Sequence, residues 1–81
     1  MIFLTARAEM QLKKISLSIR RQIVLRLDNL QKRTLSPIPL TGSWKGWHKI
    51  RVGNYRILLT RSNENEWIVG FIRHRKDVYR G

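Results

Sequence analysis

The sequence predicts an α+β fold in which an N-terminal helical hairpin packs on a small, mostly antiparallel four-stranded sheet, in the order β-α-α-β-β-β. Three observations support this prediction. A short apolar run begins the chain, an apolar stripe with helical spacing follows, and a tight hairpin and a third strand occupy the second half. We expect residues 1–81 to form one small domain.

The first half of the chain is expected to supply an edge strand and two helices. Ile2 to Thr5 is apolar and β-branched, which is typical of a short strand, and Thr5 can cap a helix from Arg7 to Ile15. Ser18 is the expected N-cap of a second helix. Four apolar residues of that helix recur on one side and are expected to pack on the sheet: Ile19, Ile23, Leu27 and Leu30.

Residues 35–42 contain two prolines and are predicted to be a loop that connects the helices to the sheet. Trp44 and Trp47 flank Lys45-Gly46 and are expected to anchor this region, with base stacking by Trp44 as the alternative. The third strand of the second half runs from Glu66 to Ile72. Its residues Trp67, Val69 and Phe71 are expected on one face and Ile68, Gly70 and Ile72 on the other. Both faces are apolar, which is typical of a central strand or of one covered by the C-terminal tail.

The hairpin around Gly53-Asn54 determines which side chains share a face of the sheet. Glycine in the first turn position favours a type II′ turn. In the resulting register Arg51 lies opposite Arg56, and Lys49 shares their face. The other face is expected to be the core face, with Ile50, Val52, Tyr55, Ile57 and a structural His48. Because like charges opposed across strands are destabilising unless they are neutralised, the cationic face predicts an anion site.

The net charge of +12 results from 17 lysines and arginines against five carboxylates. Small soluble domains more commonly carry a net charge of magnitude about 2–8. The excess predicts a polyanionic partner, an acidic protein partner, or both.

Other residue types exclude several classes of function. The chain has no cysteine, two histidines and scattered carboxylates, so neither a disulfide, a metal site nor a cofactor is expected. The N-terminal apolar run is only four residues long, and no stretch approaches membrane-spanning length. We therefore expect a soluble cytoplasmic protein with no membrane partner.

Three segments resemble the RelE/ParE superfamily of bacterial and archaeal toxins, the toxin halves of toxin–antitoxin pairs. They are Leu40-Thr41-Gly42, the stretch from Trp47 to Ile57, and the stretch from Arg73 to Tyr79. They occur in the family's order, and the resemblance covers essentially the whole chain. It implies a RelE-like fold and, for the RelE branch, a metal-independent, ribosome-dependent endoribonuclease. Such an enzyme cuts mRNA in the A site when the ribose 2′-hydroxyl attacks the adjacent phosphodiester.

The resemblance also implies a set of site residues. The catalytic set is Lys49, Arg51, Arg56, Arg73, His74 and Tyr79. Further basic residues are expected to bind RNA: Lys45, Arg75, Lys76 and Arg80. Arginine forks suit phosphate oxygens, so Arg56 and Arg73 are candidate clamps for the transition state, whereas Lys49 and His74 are candidates for proton transfer. Tyr79 is expected to stack on a base or to orient the 2′-hydroxyl.

The family leaves two other functions open. One is a non-enzymatic toxin of the ParE type, which inhibits DNA gyrase by binding it. The other is a degenerate toxin that acts only as a corepressor with its antitoxin. The basic residues of the hairpin favour the ribonuclease. The expected partners are the cognate antitoxin, which is expected to bind through an acidic or amphipathic segment, the ribosome with its mRNA, and operator DNA only through the antitoxin complex.

Overall fold

Two helices cover one face of a five-stranded sheet in the computed structural model, which describes residues 1–75. The helices are α1 (Ala6–Lys13) and α2 (Leu17–Gln31). The strands are β1 (Ile2–Leu4), β2 (Ile38–Pro39), β3 (Trp47–Val52), β4 (Tyr55–Asn63) and β5 (Glu66–His74). A 3₁₀ helix, Gly42–Trp44, precedes β3. Neither helix among residues 1–75 is long and apolar enough to cross a membrane. The predicted α+β class is confirmed.

The strand order is β1-β5-β4-β3-β2, with β1 parallel to β5 and the other neighbours antiparallel. The predicted count of four strands was wrong by one, because Ile38 and Pro39 pair with Lys49 and His48 instead of lying in a loop. A residue that precedes proline favours the extended conformation, which suits Ile38. Proline lacks an N–H donor and is tolerated on an edge strand such as β2.

The first helix begins as predicted, and the second begins earlier than predicted. The Thr5 hydroxyl accepts a hydrogen bond from the Ala8 N–H at 3.1 Å. The N-cap of α2 is Ser16 rather than Ser18, since the Arg20 N–H already bonds the Ser16 carbonyl at 2.9 Å. The Arg20 guanidinium also donates to the carbonyls of Leu12, Lys13 and Ile15. These bonds stabilise a short connection between the helices, and α2 begins at Leu17, earlier than the sequence predicts.

The core lies between α2 and the sheet, as the apolar stripe predicts. Ile23, Leu27 and Leu30 of α2 are buried, and Ile19 packs beside them. The strands contribute Ile50, Val52, Ile57, Leu59, Val69 and Ile72, and Tyr55 packs against this cluster. Complete burial of each such aliphatic side chain contributes about 1.5–3 kcal/mol, so this face dominates the stability of the fold.

A β-bulge at Gly70 changes which residues of β5 share a face. Leu58 pairs with Phe71 and Leu59 with Val69, so Gly70 is the extra residue. The expected strict alternation of this strand was therefore wrong, because Val69 and Phe71 lie on opposite faces. Val69 faces the helices, and Phe71 lies on the face that the helices leave uncovered. The predicted interior position is confirmed, since β5 lies between β1 and β4.

Beyond the end of β1, side chains of residues near the N-terminus form hydrogen bonds with the backbone of β5. The pairing of β1 with β5 stops at Leu4 and Val69. Beyond that point the Thr5 hydroxyl donates to the Gly70 carbonyl at 2.6 Å, and the Gln11 side-chain oxygen accepts from the Ile72 N–H at 2.6 Å. These two bonds fix α1 against the C-terminal half of β5.

Candidate anion-binding face

The turn between β3 and β4 has the predicted conformation. Gly53 has a φ of +56°, and Asn54 is not among the residues with positive φ, which matches a type II′ turn. The register is also as predicted, with Val52 opposite Tyr55 and Arg51 opposite Arg56. Glycine is favoured at the first turn position because it adopts positive φ without steric cost.

Three arginines form a row across three adjacent strands. Arg51 of β3 pairs with Arg56 of β4, which in turn pairs with Arg73 of β5. Paired residues share a face, and neighbouring strands are about 4.8 Å apart, so the three side chains leave the sheet side by side. Lys49 lies two residues before Arg51 and therefore on the same face. We call the surface formed by Lys49, Arg51, Arg56 and Arg73 the cationic face.

The carboxylates of residues 1–75 lie elsewhere in the molecule. Glu9 and Asp28 are on the helices, Glu64 is in the β4–β5 turn, and Glu66 begins β5 at the end opposite to Arg73. Within residues 1–75 the only ion pair joins Asp28 to Lys32, at 2.9 Å. A cleft of about 350 Å³ borders the cationic face and is lined by Arg51, Gly53, Asn54, Tyr55, Arg56 and Arg75. The face therefore concentrates positive charge and offers space for an anion.

His74 lies on the other side of the sheet. It pairs with Tyr55, and the two rings meet edge to face with centroids 4.9 Å apart. Adjacent residues of a strand point to opposite faces, so Arg73 and His74 project from different sides. The geometry separates His74 from the arginine row.

Two of the residues predicted to bind RNA are exposed on the surface of the protein, and the others lie outside the described residues. Arg75 is exposed, lines the cleft, and donates its backbone N–H to the Asn54 carbonyl. Lys45 is exposed directly after the 3₁₀ helix. The predicted Lys76, Tyr79 and Arg80 lie outside the described residues.

An aromatic cluster adjoins the arginine row on the same face of the sheet. Trp44, Trp47 and Phe71 contact one another with ring centroids 5.3–6.1 Å apart. The Trp47 ring also covers Gly70, where an added Cβ would lie 2.7 Å from its carbons. This cluster confirms that Trp44 and Trp47 anchor their segment.

Arg7 is a residue near this face that sequence reasoning missed. It lies in the first turn of α1, and its guanidinium carbon is 5.0 Å from the centroid of the Phe71 ring. The guanidinium carbon of Arg73 is 5.1 Å from the same centroid. The available signal was an arginine at a helix N-terminus, where the helix dipole disfavours a cation.

His48 lies on the helix-covered side and packs edge to face on Trp67, with centroids 4.9 Å apart. Its Nδ1 atom is buried and has no hydrogen-bond partner among residues 1–75. Burial, and secondarily the positive charge of Arg61, lowers the pKa of His48 below its ordinary value of 6.5. A cleft of about 570 Å³ beside it is lined in part by Arg33, Arg61 and Trp67. His48 is therefore separated from the arginine row by the sheet.

A family model described as the ParE toxin of the type II toxin–antitoxin system parDE matches residues 2–79 of this chain. Among curated protein sequences, none gives a significant match. The family match covers nearly the whole chain and confirms the resemblance to the RelE/ParE superfamily.

Solved toxin structures share the fold. The RelBE2 toxin–antitoxin complex of Mycobacterium tuberculosis contains a chain that is 23% identical, with a TM-score of 0.76 over 91% of this chain and 95% of that one. The RelB–RelE complex of Methanococcus jannaschii gives 26% identity and a TM-score of 0.76, over 95% and 94% of the two chains. YafQ of Escherichia coli strain BL21(DE3) gives 15% identity and a TM-score of 0.71, over 99% and 98%. The RelE-like fold is confirmed.

Proposed function

This chain belongs to the ParE toxin family of type II toxin–antitoxin systems, and we propose that it is a metal-independent endoribonuclease that cleaves mRNA in the ribosomal A site. The observation that carries the proposal is the row of Arg51, Arg56 and Arg73 on the uncovered face of the sheet. Arginine binds phosphate oxygens through two parallel N–H donors, so a phosphodiester is the natural ligand of such a row.

The proposed reaction is an internal transfer of the phosphoryl group. The ribose 2′-oxygen forms a bond to phosphorus while the bond from phosphorus to the 5′-oxygen of the next nucleotide breaks. The products are a 2′,3′-cyclic phosphate and a free 5′-hydroxyl. A base accepts the proton of the 2′-hydroxyl, and an acid supplies a proton to the departing 5′-oxygen. Negative charge increases on the phosphorus oxygens in the transition state and requires cations nearby.

The cationic face offers groups for these roles. Arg56 has an arginine on each side at the spacing of the strands, so its guanidinium lies at the centre of the positive charge. We assign it the stabilisation of the phosphorus oxygens, with Arg51 and Arg73 as neighbours that hold the phosphate. Lys49 is the side chain of this face that can exchange a proton, because arginine remains protonated. Tyr79 remains the proposed group that stacks on a base or orients the 2′-hydroxyl.

The roles proposed for RNA binding and for His74 follow the geometry. Lys45 and Arg75 are exposed and contribute positive charge near the face. Lys76 and Arg80, which lie outside the described residues, stay proposed RNA-binding residues on the basis of the sequence. His74 lies across the sheet from the arginines, and we therefore leave it out of the proposed catalytic set.

An antitoxin that covers the cationic face is the proposed inhibitor. Two solved structures that share this fold are toxin–antitoxin complexes, and this chain has a net charge of +12. An acidic or amphipathic segment of the antitoxin would neutralise Lys49 and the arginines and exclude RNA. Ribosome and mRNA are the other proposed partners, and operator DNA is bound only through the antitoxin complex. The association with the antitoxin is then expected to weaken as ionic strength increases.

Inhibition of DNA gyrase is the second candidate function. The observation in its favour is the family description, which names the ParE toxin. In this case the cationic face binds an acidic surface of a protein, and no bond in RNA is broken. The corepressor function would likewise leave mRNA intact.

A pair of assays distinguishes these functions. Toeprinting on ribosomes that translate a defined mRNA, with and without the protein, tests the ribonuclease, and supercoiling by purified gyrase tests the alternative. We expect cleavage of the mRNA in the A site and unchanged supercoiling. Arg26→Ala removes an exposed arginine of α2 and is therefore the control for the loss of one positive charge in variants of the cationic face. Intact mRNA together with inhibited gyrase would establish the second function, and intact mRNA with active gyrase would leave the corepressor.

A further inference from the structure

A second cleft lies at the end of the sheet that is remote from the arginine row. Its volume is about 570 Å³, within the range of about 300–1,000 Å³ that is typical of ligand sites. Arg61 and Trp67 line this cleft and pair with each other across β4 and β5. Arg61 follows Arg56 by five positions on β4, which corresponds to about 16 Å of strand. The cleft is also on the helix-covered side of the sheet, so it is a separate site from the cationic face.

Two arginines give this cleft an excess of positive charge. Arg33 and Arg61 line it, and Glu64 is the one carboxylate residue among its lining positions within residues 1–75. Glu64 forms no ion pair with either arginine, because the single ion pair of the described chain lies elsewhere, at the end of α2. Glu64 therefore reduces the positive charge of the cleft without neutralising either guanidinium directly. His48 adds no charge at pH 7, because burial, followed by the charge of Arg61, lowers its pKa below 6.5.

Both guanidinium groups are held at one side of the cleft and retain unused donors. Arg33 donates to the Asn65 side-chain oxygen at 2.6 Å, and Arg61 donates to the Glu64 carbonyl at 2.6 Å. Glu64 and Asn65 are adjacent in the β4–β5 turn, so the two bonds bring the arginines to the same turn. A guanidinium has five N–H groups, and one such bond for each arginine leaves several donors for an anionic ligand.

The backbone of Arg33 is in a conformation that arginine rarely adopts. Its φ is +62°, and among residues 1–75 it is the only residue other than glycine with a positive φ. It follows the C-cap of α2, and the next N–H, of Thr34, bonds the Asn29 carbonyl at 2.9 Å, as in helix ends that usually carry glycine at this position. Residues in such strained conformations cluster at functional sites. Glycine would suit this backbone better, so the side chain is what favours arginine here.

The remaining lining of the cleft favours a peptide over RNA. Leu35, Pro37 and Pro39 supply apolar surface beside the arginines. Trp67 offers no open ring for base stacking, because Arg61 already lies over it, with the guanidinium carbon 5.2 Å from the ring centroid. An extended peptide directs successive side chains to opposite sides, so it can present carboxylates to the arginines and apolar groups to the prolines. The cleft therefore suits a segment in which acidic and apolar residues are interspersed.

We infer that this cleft binds an acidic segment of the cognate antitoxin that also contains apolar residues. The inference rests on membership of the toxin family, and two solved structures that share the fold are toxin–antitoxin complexes. It does not depend on the ribonuclease function, because the cleft and the arginine row are separate. An antitoxin that occupies both sites contacts the toxin on both sides of the sheet, and its contacts in the cleft do not compete with RNA on the cationic face.

The three tryptophans report the two sites separately. Trp67 lines the cleft, whereas Trp44 and Trp47 adjoin the arginine row. The full chain, labelled with ¹⁵N, is titrated with a short blocked peptide in which glutamate and leucine alternate, and the indole N–H signals are followed. We expect the Trp67 signal to move in a saturable manner. A peptide with glutamine in place of glutamate should bind at Trp67 at least about fivefold more weakly, because it lacks the carboxylates.

Variants of the two arginines test their contacts with the peptide. Arg33→Gly removes the side chain and leaves a residue that suits the backbone, and Arg61→Gln removes the charge while it keeps an amide donor. Each is expected to weaken binding at Trp67 about fivefold, whereas Arg26→Ala, which also loses one positive charge, should change it less than about twofold. The dissociation constant of the complex with the cognate antitoxin should rise by a similar factor. Arg33→Gly should melt at the wild-type temperature or above it, because glycine adopts positive φ without steric cost.

Different results contradict this inference and the proposed function. A stationary Trp67 signal, or binding at Trp67 that Arg33→Gly or Arg61→Gln leaves unchanged, would overturn the cleft as a site for an acidic segment. A lower melting temperature of Arg33→Gly with unchanged peptide affinity would assign Arg33 to holding the turn and overturn it as well. Tighter binding at Trp67 of a single-stranded 2′-O-methyl RNA than of the peptide would make the cleft an RNA site instead. Intact mRNA in the toeprinting assay would contradict the ribonuclease function and leave the peptide results unaffected.

Discussion

The two faces of the sheet are built from the same strands and contain opposite chemistry. On the helix-covered face, Ile57 is completely buried among aliphatic side chains of β3, β5 and α2. One residue earlier, Arg56 points to the other face and lies between two further arginines. Alternation along the strand therefore places a stabilising residue next to a residue of the proposed site.

The contrast shows which face stabilises the protein and which is available for binding. The covered face buries apolar surface, which is the dominant favourable term in folding. The uncovered face places like charges opposite one another across strands, an arrangement that does not itself favour folding. Strained or repelling groups that the remainder of the fold must support are common at functional sites. Substitutions in the arginine row and in the core of the covered face should thus separate activity from stability.

The largest expected effect is the loss of activity in Arg56→Ala. This change removes the central guanidinium of the row, whose proposed role is to stabilise charge that develops in the transition state. Removal of one such donor typically lowers the rate about 10²–10³-fold. Single-turnover cleavage of A-site mRNA measures the rate, and a thermal melt beside it should match the wild type. A variant that folds and cleaves at the wild-type rate would remove the arginine row from the mechanism.

Ile57→Ala tests the other face at the adjacent position. The isoleucine is completely buried, so truncation leaves a cavity and should lower the free energy of unfolding by about 2–5 kcal/mol. Urea unfolding at 25 °C measures this change. The protein that remains folded should cleave mRNA at a rate close to the wild type. A cleavage defect as large as that of Arg56→Ala in fully folded protein would contradict the separation of the two faces.

Sequence patterns predicted the covered face well because its signals are local. The helical stripe of α2 and the two-residue turn at Gly53 fix their own side-chain directions without knowledge of distant residues. The two-residue strand β2 gave no periodic signal, and Pro39 within it and Pro37 directly before it are typical of a loop. The bulge at Gly70 was also missed, because one extra residue in β5 is visible only through its pairing with β4.

The cationic face was predictable in part. The hairpin turn alone places Arg51 opposite Arg56, and the family resemblance supplied Arg73, whose register depends on the longer β4–β5 turn. Arg7 required tertiary structure, since only the bonds of Thr5 and Gln11 to β5 bring it to Phe71. His74 was grouped with Arg73 by the resemblance, and strand alternation places it on the opposite face.

Gly70→Ala probes the packing of the uncovered face. An added Cβ would lie 2.7 Å from two carbons of the Trp47 ring, and the ring is held by Trp44 and Phe71. The ring must move, and overpacking of this kind typically reduces stability by about 1–3 kcal/mol. Urea unfolding measures the loss, and Trp fluorescence should report the displaced ring. Gly42→Ala is not a suitable control because Gly42 has a φ of +66°.

A double variant, Gly70→Ala with Trp47→Leu, provides the matched control. If the Trp47 ring causes the strain, the cost of the alanine should be smaller in the Trp47→Leu background than in the wild type. Equal costs in both backgrounds would show that the strain comes from the backbone of the bulge instead.

The smallest expected effect is a dependence of stability on the protonation of His48, on the covered side. Burial, followed by the charge of Arg61, lowers the pKa of His48 in the folded protein below the ordinary value of 6.5. The unfolded chain therefore binds the proton more readily, and stability increases with pH across this range. The full contribution of neutral His48 is present above pH 6.5 and is lost as the pH falls towards the folded pKa. The buried Nδ1 atom gives the same sign, because no partner among residues 1–75 accepts a bond from a second N–H.

Urea unfolding of the wild type and His48→Gln at pH 7.5 and 5.5 measures this effect. Both pH values lie above the ordinary pKa values of carboxylates, and His74 is present in both proteins, so the difference between the two proteins reports His48. The wild type should lose more stability than His48→Gln between pH 7.5 and pH 5.5. Cleavage should keep the same pH profile in both proteins, since His48 lies across the sheet from the arginine row. A changed cleavage profile in His48→Gln would instead couple the covered side to the chemistry and contradict the division between the two faces.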